Sequence, residues 1–385
     1  MPDPLRHLDE ELHDLETRGL LRRPPTPALR APDPAPLPDS QPLLLCSNDY
    51  LGYASHPWGT VTEPAGSGAS RLVAGEHTAH AEAETTIARW LHTGASLLFS
   101  SGYAANVGAI SALARPGDLI VSDALNHASI IDGCRLSGAR VAVVPHRDLA
   151  AVDRALTTAP DARRRWVVTE SYFSMDGDSP DLRALRSLCD THDAAFYVDE
   201  AHGVGVFGPE GRGLCAEAGV TPDILVGTLG KALGLQGAFV AGSPALRLYL
   251  WNRARSFVFS TGISPALADR IQQNVLHVAA DDRARERLHA NASRLRAGLR
   301  SLASRRPASA PVLPPDGRGP VIPWVVGPSA AAVTLSNQLR DHGVLVQAIR
   351  PPTVPVDTAR LRITATARLT EADIDRALRA FQQVL

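Results

Sequence analysis

A chain of 385 residues with 44% hydrophobic composition can bury a large core and is long enough for two domains, or one and a smaller appendage. Its formal net charge of -1, with both signs interspersed, gives no field to draw a nucleic acid or a membrane surface, so small-molecule chemistry is the expectation. The sequence carries no secretory leader pattern and no apolar run of bilayer length, and Cys46, Cys134, Cys189 and Cys215 lack metal-ligand spacing and disulfide-scaffold density. A cytoplasmic protein with reduced thiols and no metal site is therefore expected.

Residues 5–23 read as a short amphipathic helix with Leu5, Leu8, Leu12, Leu15 and Leu20 on one stripe. Eight prolines between 24 and 42 then exclude regular helix and central strand, which makes residues 1–45 an arm. Seven short apolar runs follow, at Ser96–Ser100, Asp118–Ser122, Arg140–Val144, Trp166–Thr169, Ala195–Val198, Ile224–Gly227 and Ala238–Ala241. They alternate with helix-like stretches, the α/β signature of a mostly parallel sheet, and define a large domain over residues 46–265. Ser264 and Pro265 suit the cap and first position of a long helix reaching Leu302, which ends in a proline-rich break at Pro307–Pro315. Strands at Val321–Val326, Val344–Ala348 and Arg360–Thr366, a helix at Ala330–His342, and a last helix opened by Thr370 and Asp373 give a small α+β domain over 266–385.

In open sheets of this kind, ligands sit beyond the carboxyl ends of the strands, so the polar residues closing the runs are the candidates for chemistry. Of the 39 basic residues, 38 are arginine and one is lysine, Lys231. Drift from Lys to Arg wherever only charge mattered explains the 38. The survivor has what arginine lacks, an amine that can lose its proton and attack a carbonyl. Lys231 follows a strand within Gly227-Thr228-Leu229-Gly230-Lys231, a turn in which Thr228 could meet a phosphate. A P-loop is excluded, since Leu225 stands at the first glycine position and Ala232 where a magnesium-binding hydroxyl belongs. Asp199 closes the run Ala195–Val198, where a carboxylate could keep a pyridine nitrogen protonated, and His202 could reach the phenolic oxygen of the same ring. Ser101-Gly102-Tyr103 opens a helix after a strand, a place for a phosphate monoester; His127 and Ser174 also follow strand ends. The pattern fits pyridoxal 5′-phosphate (PLP) held as a Schiff base on Lys231.

These segments together resemble the α-oxoamine synthases among the fold-type-I PLP-dependent transferases. The likeness runs from Asn48-Asp49-Tyr50-Leu51-Gly52 almost to the C-terminus. It is carried by Gly68-Ala69-Ser70-Arg71, Ser101-Gly102-Tyr103, His127-Ala128-Ser129, Phe173–Asp178, Asp199-Glu200-Ala201-His202-Gly203 and Gly230-Lys231. The resemblance implies that Lys231 carries PLP, Asp199 pairs with the ring nitrogen, and His202 and Ser174 meet the ring oxygen region. It further implies that Thr228 and the Gly102-Tyr103 backbone hold the phosphate and that His127 stacks on the ring. Asn48 and Arg362 would meet the amino-acid carboxylate, while Thr353 and Arg22 would lie near substrate. The family forms homodimers with the site at the interface, to which Ser260 or Thr261 of the partner subunit could contribute.

Within the family, Ala348–Pro355 and Thr358–Thr364 look most like the members of biotin biosynthesis that condense L-alanine with pimeloyl-CoA or pimeloyl-ACP. The alternatives are a sister enzyme using glycine or serine, a non-catalytic subunit of such an enzyme, and a phosphate-binding regulatory module. The chain departs from the family pattern at Glu76, where asparagine is common, at Leu235-Gln236, and at Asp357, where glycine usually follows the Pro-Thr-Val-Pro run.

Overall fold

The seven apolar runs form one sheet in the computed structural model, which describes residues 5, 7–22, 42–57, 59–304 and 317–385. The order across the sheet is Ala95–Phe99, Ala238–Gly242, Ile224–Thr228, Ala194–Asp199, Arg165–Glu170, Leu119–Asp123 and Arg140–Val144. All neighbours are parallel except Ala238–Gly242, which runs antiparallel to the strand on either side. Leu119–Asp123 and Ile224–Thr228 are buried along their whole length, as strands covered on both faces must be, and this explains their apolar openings, Leu119-Ile120-Val121 and Ile224-Leu225-Val226. Parallel direction brings Asp123, Glu170, Asp199 and Thr228, the last residues of four strands, to one edge.

Contacts divide the chain into Asn48–Leu288 and a second unit of Met1–Ser47 with His289–Leu385. In the larger unit, Ile110, Ile120, Ile130, Trp166, Val226, Val240 and Phe257 are among the buried side chains of one core. Helix Pro265–Ala280, capped by Ser264 as its sequence suggests, packs here against Thr78–Trp90. The expected single helix to Leu302 is instead two, Pro265–Ala280 and Asp282–Ala303. At the break Asp281 leaves helical geometry, and its carboxylate accepts Tyr53 Oη at 2.5 Å and the Ala284 N–H at 2.9 Å.

In the smaller unit, Val321–Gly327, Ala359–Thr364 and Gln347–Ile349 form an antiparallel sheet. Trp324, Leu361, Ile363, Leu339, Leu295 and Phe381 meet in its core. The expected strand Val344–Ala348 divides at Val346, because Val344–Leu345 pairs with Leu43–Leu44 while Gln347–Ile349 pairs with Arg360–Arg362. Thr370 and Asp373 form the expected capping box of Glu371–Val384. The N-terminal helix is shorter than expected, His7–Thr17, and Leu5, Leu8, Leu12 and Leu15 are exposed. The proline-rich stretches at 24–41 and 307–315 lie outside the described residues.

A charged cluster ties two loops at the carboxyl edge. His146 lies 3.0 Å from Asp123 and 3.1 Å from Asp178, and Phe173 meets its ring edge-on. Asp178 closes the loop carrying Ser174, its carbonyl accepting the Phe173 N–H at 2.9 Å. Burial works to lower the imidazole's pKa, but the hydrogen bonds and charges of the two carboxylates outweigh it and lift it to about 9. A raised value means that the stabilisation is complete below the ordinary 6.5 and is lost as pH rises through about 9. Wild-type melting temperature should therefore fall by a few degrees across that window, while His146→Gln should melt lower and show little of the decline. Parallel curves for the two proteins would refute the assignment.

Candidate active site

Asp199 ends its strand with each carboxylate oxygen held. Asn106 Nδ2 donates to one at 2.7 Å, and the Ala201 N–H to the other at 2.7 Å. Asn106 is itself fixed, donating to Ser129 Oγ at 2.9 Å and accepting from Tyr197 Oη at 2.8 Å. The carboxylate is thus buried in one orientation, the condition for directing a fixed charge at a ligand. Gly203 is dictated by closeness, since a Cβ there would stand 1.8 Å from Glu200 Oε2.

Lys231 lies in the turn after Ile224–Thr228, with Nζ 2.8 Å from His202 Nε2. The other ring nitrogen of His202, Nδ1, is 2.6 Å from the hydroxyl of fully buried Tyr50, which reaches Asn48 Oδ1 at 3.4 Å.

His127 caps helix Ala128–Ser137, its Nδ1 2.8 Å from Ser129 Oγ and its N–H donating to Glu170 Oε1 at 2.7 Å. Burial lowers its pKa, against the pull of Asp199, and the positive charge of Lys231 lowers it further. A neutral imidazole face results, suited to stacking. Burial first, and then the charge of Asp199, push Glu170 up to about 8, while Lys231 and the His127 N–H pull it down.

Ser101 caps helix Gly102–Leu113, leaving Gly102 and Tyr103 in its first turn. A Cβ on Gly102 would meet Thr228 Oγ1 at 3.8 Å, so the helix start and that hydroxyl face the same space. The Tyr103 side chain turns to Asp132 and is exposed, so only its backbone serves this place. Ser174 is half-buried in the turn at 174–176.

The remaining candidates belong to the smaller unit. Buried Arg362 donates to Thr364 Oγ1 at 3.2 Å. Arg22 Nη2 donates to Thr353 Oγ1 at 3.4 Å, joining two residues 331 apart in sequence. Arg350, absent from the sequence candidates, donates to the Gly19 carbonyl, and its Nε is buried without a hydrogen-bond partner among the described residues. Burial and the nearby Arg22 charge lower its pKa. Asp357 has φ +59°, a left-handed conformation that glycine adopts without strain.

Sequence reasoning also missed Asn106, Tyr50 and Glu170. Asn106 left a signal, a carboxamide inside the otherwise mostly apolar Gly102–Leu113. Glu170 closes a strand and pairs in register with Asp199.

A lysine, an acid and a histidine gathered at the carboxyl edge of a mostly parallel sheet place the chain in the Aminotransferase class I and II family, whose match spans residues 40–381. The chain is 46% identical to an 8-amino-7-oxononanoate synthase of Marinobacter nauticus, covering 94% of this chain and 91% of that protein. It is 45% identical to one of Anaeromyxobacter sp., covering 99% and 96%. Within the class, it belongs to the 8-amino-7-oxononanoate synthase family. Among solved structures, serine palmitoyltransferase of Sphingomonas wittichii superposes with a TM-score of 0.85 at 28% identity, covering 100% of this chain and 98% of that one. A serine palmitoyltransferase variant of S. paucimobilis, with bound PLP-myriocin aldimine, gives 0.86 at 27% identity over 100% and 98%.

Proposed function

We propose that this chain, an acyltransferase, binds pyridoxal phosphate at Lys231 and condenses L-alanine with a pimeloyl thioester of coenzyme A or acyl carrier protein. The products are 8-amino-7-oxononanoate, carbon dioxide and the free carrier, as a step of biotin biosynthesis. The observation that carries this reading is the Lys231 amine beside His202, on the sheet edge that also presents Asp199.

The residues fit the cofactor by donor type. Thr228 and the first turn of Gly102–Leu113 supply hydrogen bonds for a phosphate, and Asp199, held by Asn106 and Ala201, supplies a carboxylate for a pyridinium nitrogen. His127 would stack on the ring, and His202 and Ser174 would contact the ring oxygen region. When bound, PLP supplies an aldehyde for Lys231 and a ring that takes up electron density as C–H and C–C bonds break. Lys231 Nζ would remove the α-proton of alanine and return a proton to the product. Asn48 and Arg362 would orient the amino-acid carboxylate.

Arg22, Thr353 and Arg350 support an acyl chain ending in a carboxylate. Two neighbouring guanidiniums without a carboxylate partner among the described residues call for an anion from outside, and a buried Nε offers it a donor. We further place the chain in the cytosol, as a homodimer in which Ser260 or Thr261 reaches the partner's site. No helix among the described residues is long and apolar enough to cross a membrane.

Purified protein given an amino-acid panel and pimeloyl-CoA should release thiol with alanine and yield 8-amino-7-oxononanoate by mass. Release with glycine or serine alone would select the sister activity. Arg350→Ala should raise KM for pimeloyl-CoA by roughly tenfold to a hundredfold, with far less effect on uncharged octanoyl-CoA. Equal losses on both thioesters would remove the carboxylate subsite from the reading.

A further inference from the structure

Tyr50 is fully buried, and its hydroxyl stands 2.6 Å from His202 Nδ1 while Lys231 Nζ stands 2.8 Å from His202 Nε2. An ammonium has three donors and no acceptor, so facing Lys231 in that form Nε2 must offer its lone pair. The neutral imidazole then carries its proton on Nδ1 and donates it to Tyr50 Oη. The phenol proton is left to point at Asn48 Oδ1, 3.4 Å away. Donors and acceptors therefore run in one direction, from Lys231 through His202 and Tyr50 to Asn48.

We propose that Tyr50 is a positioning residue that fixes the tautomer of His202, so that Nε2 accepts a proton from Lys231 and the amine can shuttle between its charged and nucleophilic forms. The proposal deepens the reading of the site given above, on which its catalytic meaning rests. When Lys231 gives up its proton, Nε2 gains the N–H, and the imidazolium charge is shared with Tyr50 through Nδ1. When the lysine needs a proton again, the same Nε2–H returns it. No electron leaves the system and no other reactant is needed. Also near this point are His127 and Glu170, each of which interacts electrostatically with Asp199 and with Lys231, and the ring of Tyr172 beside His202. Tyr50 Oη sits on Nδ1 itself and, with its own proton turned to Asn48 Oδ1, can only accept there, which makes Tyr50 the handle on the tautomer.

The composition of the chain makes the test direct, because its only lysine is the residue in question. Full-length protein labelled on lysine carbon and nitrogen gives one side-chain ε-signal, whose pH titration reports Lys231 without added cofactor. In Tyr50→Phe the imidazole is released to place its proton on Nε2, which opposes the ammonium, so the titration midpoint should move to lower pH by on the order of one unit. Nitrogen-15 histidine spectra should show His202, identified by its loss in His202→Gln, changing from the Nδ1–H toward the Nε2–H form. With cofactor, kcat should fall about tenfold to a hundredfold while KM for alanine holds.

An unchanged lysine midpoint with an unchanged His202 tautomer would overturn the proposal. If Tyr50→Phe does not fold, 3-fluorotyrosine at position 50 keeps the shape, alters the acidity of the phenol, and must still perturb the lysine titration for the proposal to stand. Failure of the cofactor reading would show separately, as the absence of a borohydride-reducible link between added pyridoxal phosphate and Lys231.

Discussion

Lys231→Ala and Lys231→Arg should fold with unchanged circular dichroism and lose turnover by on the order of 10³ to 10⁴-fold or more. The arginine variant is the sharper of the two. It keeps the positive charge beside His202, yet a guanidinium does not lose its proton at working pH and cannot form the imine. Loss in both variants therefore assigns the effect to amine chemistry rather than charge. Borohydride treatment with pyridoxal phosphate should fix one cofactor on the wild-type side chain and none on either variant. Near-normal turnover in Lys231→Ala would end the account.

Asp199→Asn should lower kcat by about a hundredfold or more, equivalent to roughly 3 kcal/mol of lost stabilisation of the transition state. The substitution is close to isosteric, and an amide oxygen can still accept one of the two N–H groups that now hold the carboxylate. What disappears is the fixed negative charge that would keep a pyridine nitrogen protonated. The Schiff base with Lys231 should still form, so visible absorbance would remain while turnover falls. A kcat within about twofold of wild type would show that the charge at 199 does not serve the ring.

Much of this arrangement was legible because the sheet is parallel. Leu119–Asp123 and Ile224–Thr228 open in three apolar residues each because both faces are covered, and such strands close in polar residues at the edge where ligands bind. Asp199, Thr228 and Lys231 stood out for that reason. Asp281 did not, because the helical pattern continues on both sides of it; only its side-chain bonds to Tyr53 and Ala284 reveal the break. Nor could the division at Val346 be read locally, since the two halves pair with segments far apart in sequence. Tyr50 lay within a recognisable motif, yet its function in the site depends on a residue 152 positions away. Arg350 was hidden among 38 arginines, and its place beside Arg22, with no carboxylate partner among the described residues, is what distinguishes it.

The reversed strand Ala238–Gly242 has a mechanical consequence. Because it returns beside Ile224–Thr228, Thr228 and Ala238 pair directly, and the segment between them is stitched by Leu229 N–H to Gly237 at 2.9 Å and Leu235 N–H to Leu229 at 2.8 Å. Lys231 is thus mounted on a short closed ring of backbone whose closure entropy is spent when the sheet forms. Its amine can change position by turning side-chain torsions alone, a swing that leaves the scaffold in place.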